Sequence, residues 1–434
     1  MPCPHSGPEK RSKSASRRDF VKAAVAIGGT SALSACAERE NSPAEAAGTE
    51  PPERQHAWND YLPRDAHGNT VAPYHQVILL LEYSGEGTPG AEEQRTVEAA
   101  LESLDQAYQW GNGGANPQQP EGSTTRGVFS MLGYSRRYFD RFEADLPDSI
   151  DLPRPETTLE RLGEDPSVAD QADASLLLSS DYGEAVLGAE AALFGRVNER
   201  NEVDFEGSLG DVFDVVDRRT GFIGSGVPRQ RLDREEIPQS SPLTMGFKSG
   251  FQENQASEDS VTIQDGPFSG GTTQHLSRLQ LDLDSWYAKD DETRVHQMFS
   301  PAHSRSDVGE SGEFLTNDSG MTEELAARTD EYARHRGAVG HTQKTARART
   351  ESFEPRILRR SEAMQTDREG AGFNFTAVQR TVADFRKTRE AMNGDDLDLA
   401  ESHSGILEQI TVKSRGNYLI PPRSKRALPE PNPR

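Results

Sequence analysis

Apolar residues in this chain recur in short runs. "HQVILLLEY" (75–83), "SLLLSS" (175–180) and "GILEQITV" (405–412) are each of strand length and bounded by polar or turn residues, which predicts β-strands and a folded core. "YHQVILLLEYSG" reads as a strand, and "GAEEQRTVEAALESLDQAYQW" after it carries apolar residues at helical spacing. "RGVFSMLGYSRRYFDRF" then predicts a second strand running into an amphipathic stretch, so a strand–helix–strand unit begins near Tyr74. After a Pro-rich connection from Leu152, "DASLLLSSDYGEAVLGAEAAL" predicts strand then helix. "QHLSRLQLDLDSWY" (274–287) alternates as a half-buried strand should. "AGFNFTAVQ" leads into "RTVADFRKTREAMN" as strand then helix, and "NYLIPP" is a short strand halted by two prolines. Two successive α+β halves with antiparallel sheets are the economical architecture.

Composition narrows the choice of partners. The 434 residues suffice for one large domain or two medium ones. Only 33% are hydrophobic and the formal net charge is −23, a balance that leans toward disorder or heavy solvation and is countered by the apolar runs. Scarce lysine beside arginine and an excess of carboxylates fit a surface kept hydrated in concentrated salt, with an acidic interaction surface as the alternative. Nucleic acid is excluded as a partner, because no basic face offsets the charge.

The first 36 residues read as an address. In "SASRRDFVKAAVAIGGTSALSAC", Arg17 and Arg18 precede Phe20 and a Gly- and Ala-rich apolar run too brief to span a membrane as a mature helix. This is the twin-arginine export pattern, which makes the twin-arginine translocase a partner during export. "LSAC" looks like a lipobox in which Cys36 becomes the acylated first residue, and an ordinary signal cut nearby is the alternative. The expected location is the outer face of the cytoplasmic membrane, held by a lipid anchor, or the extracellular space. Cys3 and Cys36 are the only cysteines, so the rest of the chain has no internal disulfide, thiolate ligand or cysteine nucleophile. Residues 37–73, rich in Pro, Glu and Ala, read as a disordered tether. Residues 74–220 and 221–434 are then the two halves.

An acidic chain has one conspicuous basic stretch, "GHTQKTARARTESFEPRILRRSEAM" (340–364). On the order of its segments the chain resembles the dye-decolorizing (DyP-type) haem peroxidases, from about His75 to Pro422. The resemblance is most specific in this stretch, where the family has a proximal histidine followed by an "ILR" segment. His341 corresponds to the proximal ligand and Arg359, 18 positions on, to the distal arginine. "EGAGFNFTAVQRTVADFRK" from Glu369 matches the strand and helix that follow, and "GGTTQHLSRLQLDLDSW", ending at Trp286, matches the strand before the ligand. The resemblance implies an α+β fold of two ferredoxin-like halves with facing antiparallel sheets, dimeric α/β barrel-like. It implies haem b held mainly by the second half, and reduction of hydrogen peroxide with oxidation of an organic donor.

That chemistry has physical requirements the stretch can meet. With no thiol available, a haem iron takes an imidazole nitrogen, which His341 offers. Anionic propionates inside an acidic protein need local positive charge, and Lys344, Arg347, Arg349, Arg356 and Arg360 are candidates. A guanidinium on the distal face, Arg359, can stabilise the hydroxide that departs as peroxide's O–O bond breaks. Taken without the resemblance, His341 is one of ten histidines in a polar stretch whose arginines pair with neighbouring carboxylates.

One motif departs from the family. Where DyP-type proteins carry Gly-x-x-Asp-Gly, with an aspartate that shuttles the peroxide proton, this chain reads "TGFIGSGVP", and Gly224 or Ser225 occupies the aspartate's place. The glycines suit a tight turn against a flat ring, or a turn with no ligand. His296 and His303 have the spacing of a metal pair without an organised third ligand and read as a solvated loop, with Arg305 and Asp307 near the family's usual basic residue. Asp265 reads as a turn aspartate. Three functions remain: a peroxidase, a haem-binding or haem-delivery protein of the same fold, and a surface module without cofactor.

Overall fold

In the computed structural model, the described residues are 51–64, 70–110, 127–224, 226–247, 251, 254–309, 322–367 and 370–433. Ten strands occur among them: β1 (His75–Tyr83), β2 (Phe129–Ser135), β3 (Ala174–Ser180), β4 (Glu199–Arg200), β5 (Val203–Asp204), β6 (Phe213–Phe222), β7 (Thr272–Leu281), β8 (Leu358–Asp367), β9 (Gly370–Gln379) and β10 (Ile410–Ile420). The minute β4–β5 hairpin stands apart, and the other eight form a closed barrel in the order β1-β3-β2-β10-β7-β9-β8-β6.

The barrel is one motif used twice. Within the first half the spatial order is β6-β1-β3-β2 and within the second β10-β7-β9-β8, which is the ferredoxin-like order of fourth, first, third, second strand in each. The halves meet edge to edge along thin seams. Tyr418 and Leu419 of β10 pair with Ser135 and Tyr134 of β2, and Phe222 of β6 pairs with Met364 of β8. Closure removes the open sheet edges that would otherwise be exposed. The α+β fold of two ferredoxin-like halves expected from the sequence is the fold observed.

Side-chain alternation divides the apolar residues between two compartments. In β1, Ile78 and Leu80 point into the barrel with Phe129, Met131 and Leu177. Val77, Leu79 and Leu81 point outward. There they meet helices α1 (Ala91–Ala107) and α2 (Gly183–Leu193), which cover the outer face of the first sheet with Val97, Leu101, Leu104, Val186 and Leu193. Both faces of the strand are therefore buried, which is why it reads as a continuous apolar run rather than an alternating one.

The second half is built on the same plan and is not filled in the same way. Its sheet is faced by α3 (His341–Ala346) and α4 (Val382–Asn393). Along α4 only Val382 and Phe385 are buried, against six buried residues along α1. The space left is the candidate site.

Some local expectations are corrected. Residues 51–64, read as part of the tether, are ordered against the barrel, with Gln55, His56 and Trp58 buried. The Gln55 amide bonds the Leu132 backbone at both its N–H and its C=O. Trp58 meets Phe129 and Trp110 at centroid distances of 5.1 and 6.5 Å. Side chains that reach specific partners outweigh a polar composition. The strand expected over 274–287 stops at Leu281, because Asp282 caps a helical turn by accepting from Ser285 N at 2.9 Å. The two short apolar segments "GILEQITV" and "NYLIPP" contribute to one strand, β10. β6, with its polar "DVVDRR", gave no strand signal, since only part of its length is buried.

Candidate functional site

A cavity of about 1630 Å³, its open mouth included, lies between the outer face of the second sheet and helices α3 and α4. Outward-facing residues of the strands make one wall: Leu279 of β7, Phe373 and Phe375 of β9, Val412 of β10. His341 and Thr345 of α3 and Phe385, Arg389 and Met392 of α4 make the other. Met245, Phe247 and Phe251 close one end. An apolar hollow with a few polar groups is the usual form of a small-molecule site.

His341 is placed by the glycine before it. Gly340 is the N-cap of α3, and its N–H donates to Gln343 Oε1 at 3.0 Å. A Cβ there would stand 2.0 Å from the carbonyl oxygen of Phe299, so only glycine allows α3 to start this close to that chain. Burial first, then the charges of Lys344, Arg359 and Arg389, lower the His341 pKa to about 3. The imidazole is therefore neutral near pH 7. Nδ1 is buried without a hydrogen-bond partner. His341 itself lines the cavity, and Nε2 is the ring nitrogen not among the buried atoms left without a partner.

Five arginines line the hollow: Arg349, Arg356, Arg359, Arg389 and Arg415. Each has a protein partner. Arg349 donates to Phe353 O at 2.8 Å and lies 4.4 Å over Phe251. Arg356 binds Asp384 at 3.3 Å, and Arg359 Nη1 stands 3.2 Å from both carboxylate oxygens of Glu362. Arg389 and Arg415 share Glu164, a residue of the first half, at 3.0 and 2.7 Å. Arg415 also donates to Ser277 Oγ at 2.7 Å, beside a buried His275 that stacks on Phe385 at 3.5 Å.

The structure thus gathers His341, Arg359, Arg356 and Arg349 around one space and disperses other candidates. Arg360 does not face the cavity. It turns to the opposite side of β8, where it donates to Asn59 at 2.8 Å, pairs with Glu258 and lies 5.2 Å over Trp58. Arg360 is an extra residue of β8 between Arg359, which pairs with Ala377, and Ser361, which pairs with Thr376, and its side chain leaves the face of Arg359. Lys344 is fully buried and turned away, its ammonium held by Ser404 O at 2.6 Å, Ser404 Oγ at 3.0 Å and Asn393 O at 3.3 Å. Asn393 ends α4, whose last carbonyls have no partner within the helix and attract a cation. Arg347 pairs with Asp396. Gly224 sits in the turn after β6 against Tyr74, whose ring a Cβ would meet at 2.5 Å, and lines neither this cavity nor its neighbour. Ser225, Arg17, Arg18 and Cys36 lie outside the described residues. His303 is bonded to Ser300 Oγ at 2.7 Å. Among the described residues no group of three His, Cys, Asp or Glu could hold a metal ion. Arg305 binds Asp291 and lies 4.7 Å over Phe247, Asp307 caps Ser304, and Asp265 is exposed.

Residues 73–422 match the family described as "Family of unknown function (DUF7405)". The chain belongs to that family. None of the curated proteins matches the sequence. In fold, this DUF7405 member is similar to a DypB variant from Rhodococcus jostii RHA1 in complex with heme, with a TM-score of 0.51, 14% identity, and 82% of this chain and 96% of that one covered. It is also similar to the encapsulated DyP-type peroxidase from Mycobacterium smegmatis, with a TM-score of 0.50, 14% identity, and 84% and 97% covered. At such identity the likeness is one of fold.

Sequence reading missed Glu362, Arg389, Arg415, Glu164 and His275. A signal existed for one of them: Phe385, Arg389 and Met392 recur at helical spacing and so share a face of α4. Arg415 and Glu164 are 251 residues apart, and no local pattern joins them.

Proposed function

We propose that this DUF7405 protein binds haem b in the second-half cavity, with His341 Nε2 as iron ligand, and uses it to reduce hydrogen peroxide while oxidising an organic donor. The neutral imidazole of His341, lining an apolar hollow with five arginines, carries this reading. It is supported by the likeness in fold to proteins whose titles name them DyP-type peroxidases or describe a heme complex. The aromatic faces of Phe373, Phe375 and Phe385 suit a flat apolar ring. The arginine excess suits carboxylate substituents, and Arg349, Arg356, Arg389 and Arg415 are the candidates to hold them in place of Lys344 and Arg360. Haem, when bound, supplies the electron chemistry. Arg359 would stabilise negative charge on the departing oxygen, and the apolar walls would exclude bulk water.

A second reading, haem binding or delivery without turnover, is favoured by one observation. A ligating histidine usually has its other nitrogen oriented by a carboxylate or carbonyl, and His341 Nδ1 has no such partner. Haem titration of the apoprotein separates both readings from a cofactor-free module. A Soret band should form with the wild type and be lost or sharply weakened in His341→Ala with circular dichroism unchanged. An unchanged band in that variant refutes the ligand assignment, and peroxide-dependent oxidation of a dye then distinguishes enzyme from carrier. We further propose that residues 1–36 direct twin-arginine export and that Cys36 carries a lipid anchor. Among the described residues no helix is long and apolar enough to cross a membrane.

A further inference from the structure

The sequence lacks an aspartate before Pro228, which leaves the cavity without an obvious proton acceptor on the chain. We infer that Glu362 is that acceptor. The inference rests on the reading that haem is seated beside His341. Among the described residues that line the cavity, Glu362 is the one carboxylate.

Its placement is the work of a bulge. Arg359 pairs with Ala377 and Ser361 with Thr376, so Arg360 is an extra residue in β8. In a regular strand, residues three apart point to opposite faces. The extra residue at 360 restores Glu362 to the face of Arg359, opposite Phe375 and over the cavity. Bulges re-aim side chains in this way beside active sites. The two side chains then meet, with both carboxylate oxygens 3.2 Å from Arg359 Nη1.

A second, more open hollow borders this pair as well. Trp58 and Leu62 of the N-terminal segment line it, and Arg359 and Glu362 line both spaces. A small acid H–X arriving through either space therefore reaches the same carboxylate. In the step assigned to it, the H–X bond breaks with its electron pair remaining on X, and the proton forms an O–H bond on a Glu362 Oε. Arg359 then faces the anion X⁻. Nothing is oxidised or reduced. Hydrogen peroxide and hydrogen cyanide are both acids of this kind. The charged and titratable groups facing Glu362 across the cavity are Arg349 and Arg356 from the loop before β8, His341 of α3, Arg389 of α4 and Arg415 of β10, in addition to Arg359.

Stopped-flow binding of hydrogen cyanide to the haem-loaded full chain tests the inference without turnover. The wild-type association rate should fall toward acid pH as Glu362 is protonated. Glu362→Gln should be slower near neutral pH by about 100-fold, in the range of a lost general base, and should lose that acid limb. Glu362→Asp, which keeps a carboxylate, should keep the limb and recover at least about tenfold of the rate. A Glu362→Gln protein with the wild-type rate and pH profile overturns the assignment. So does a wild-type rate that is flat toward acid, which decides the matter even if the variants fail to load haem. A wild type that takes up no haem overturns the haem reading itself and this inference with it.

Discussion

Glu164 offers the most direct test of how the two halves jointly shape the cavity. It lies in the first half, yet its carboxylate neutralises Arg389 and Arg415, two arginines of the second half that line the site. All three side chains are largely buried, at 13, 15 and 4% exposure. Burial first, and then the charge of Arg415, lowers the Arg389 pKa to about 10, with Glu164 opposing the shift. Glu164→Gln keeps the shape and removes the charge. At contacts of 2.7–3.0 Å and an effective dielectric constant of about 20, each attraction amounts to roughly 6 kcal/mol. The remaining amide oxygen still accepts a hydrogen bond, so the net loss should be about 3–5 kcal/mol, as for breaking a buried pair from one side. With unfolding entropy near 2.1 cal/mol/K per residue, and thus about 0.7 kcal/mol/K for the ~340 described residues, the melting temperature should fall by ~4–7 °C. Thermal unfolding followed by circular dichroism measures this. Because the two uncompensated cations face the cavity, haem should return more stability to the variant than to the wild type. A drop of less than ~1 °C, or equal stabilisation of both proteins by haem, would refute the reasoning.

Two further predictions concern the basic stretch and the address. Burial, and then Arg389, hold the Lys344 pKa at about 8 instead of 10.5, so between these values the folded chain binds fewer protons than the unfolded one. Stability should therefore rise with pH across pH 8–10.5 by at most about 3 kcal/mol and carry the full penalty below pH 8; Lys344→Met should lack this rise in pH-resolved melting, and an identical rise in the variant would disprove the cause. Replacing Arg17 and Arg18 together by lysine should block export, and Cys36→Ser should release the mature chain from the membrane fraction, since acyl chains are the anchor proposed; normal fractionation of both variants would remove the proposed address.

The regular elements were legible because they depend on near neighbours. β1, β3, β9, α1, α2 and α4 announce themselves by strand-length apolar runs or helical spacing. Such patterns report which residues are buried within an element. They do not report what buries them, and so the polar β6 went unseen and the 51–64 segment looked like a tether.

The site divides in the same way. Sequence by itself supplied His341 and Arg359, because their interval within one basic stretch carried the resemblance, and it supplied the absence of an aspartate before Pro228. It could not sort the remaining charges. Lys344 and Arg360 look as available as Arg356 in a linear reading, but helix-end carbonyls capture one and the opposite face of β8 takes the other. Glu362 reaches the cavity only because Arg360 bulges out of register, and register is set between strands rather than along one. Arg389 and Arg415 are held by a carboxylate from the other half, and the hollow itself exists because α4 stands off a sheet whose counterpart in the first half is covered by leucine and valine. These are properties of packing between distant segments, which the order of residues along the chain does not display.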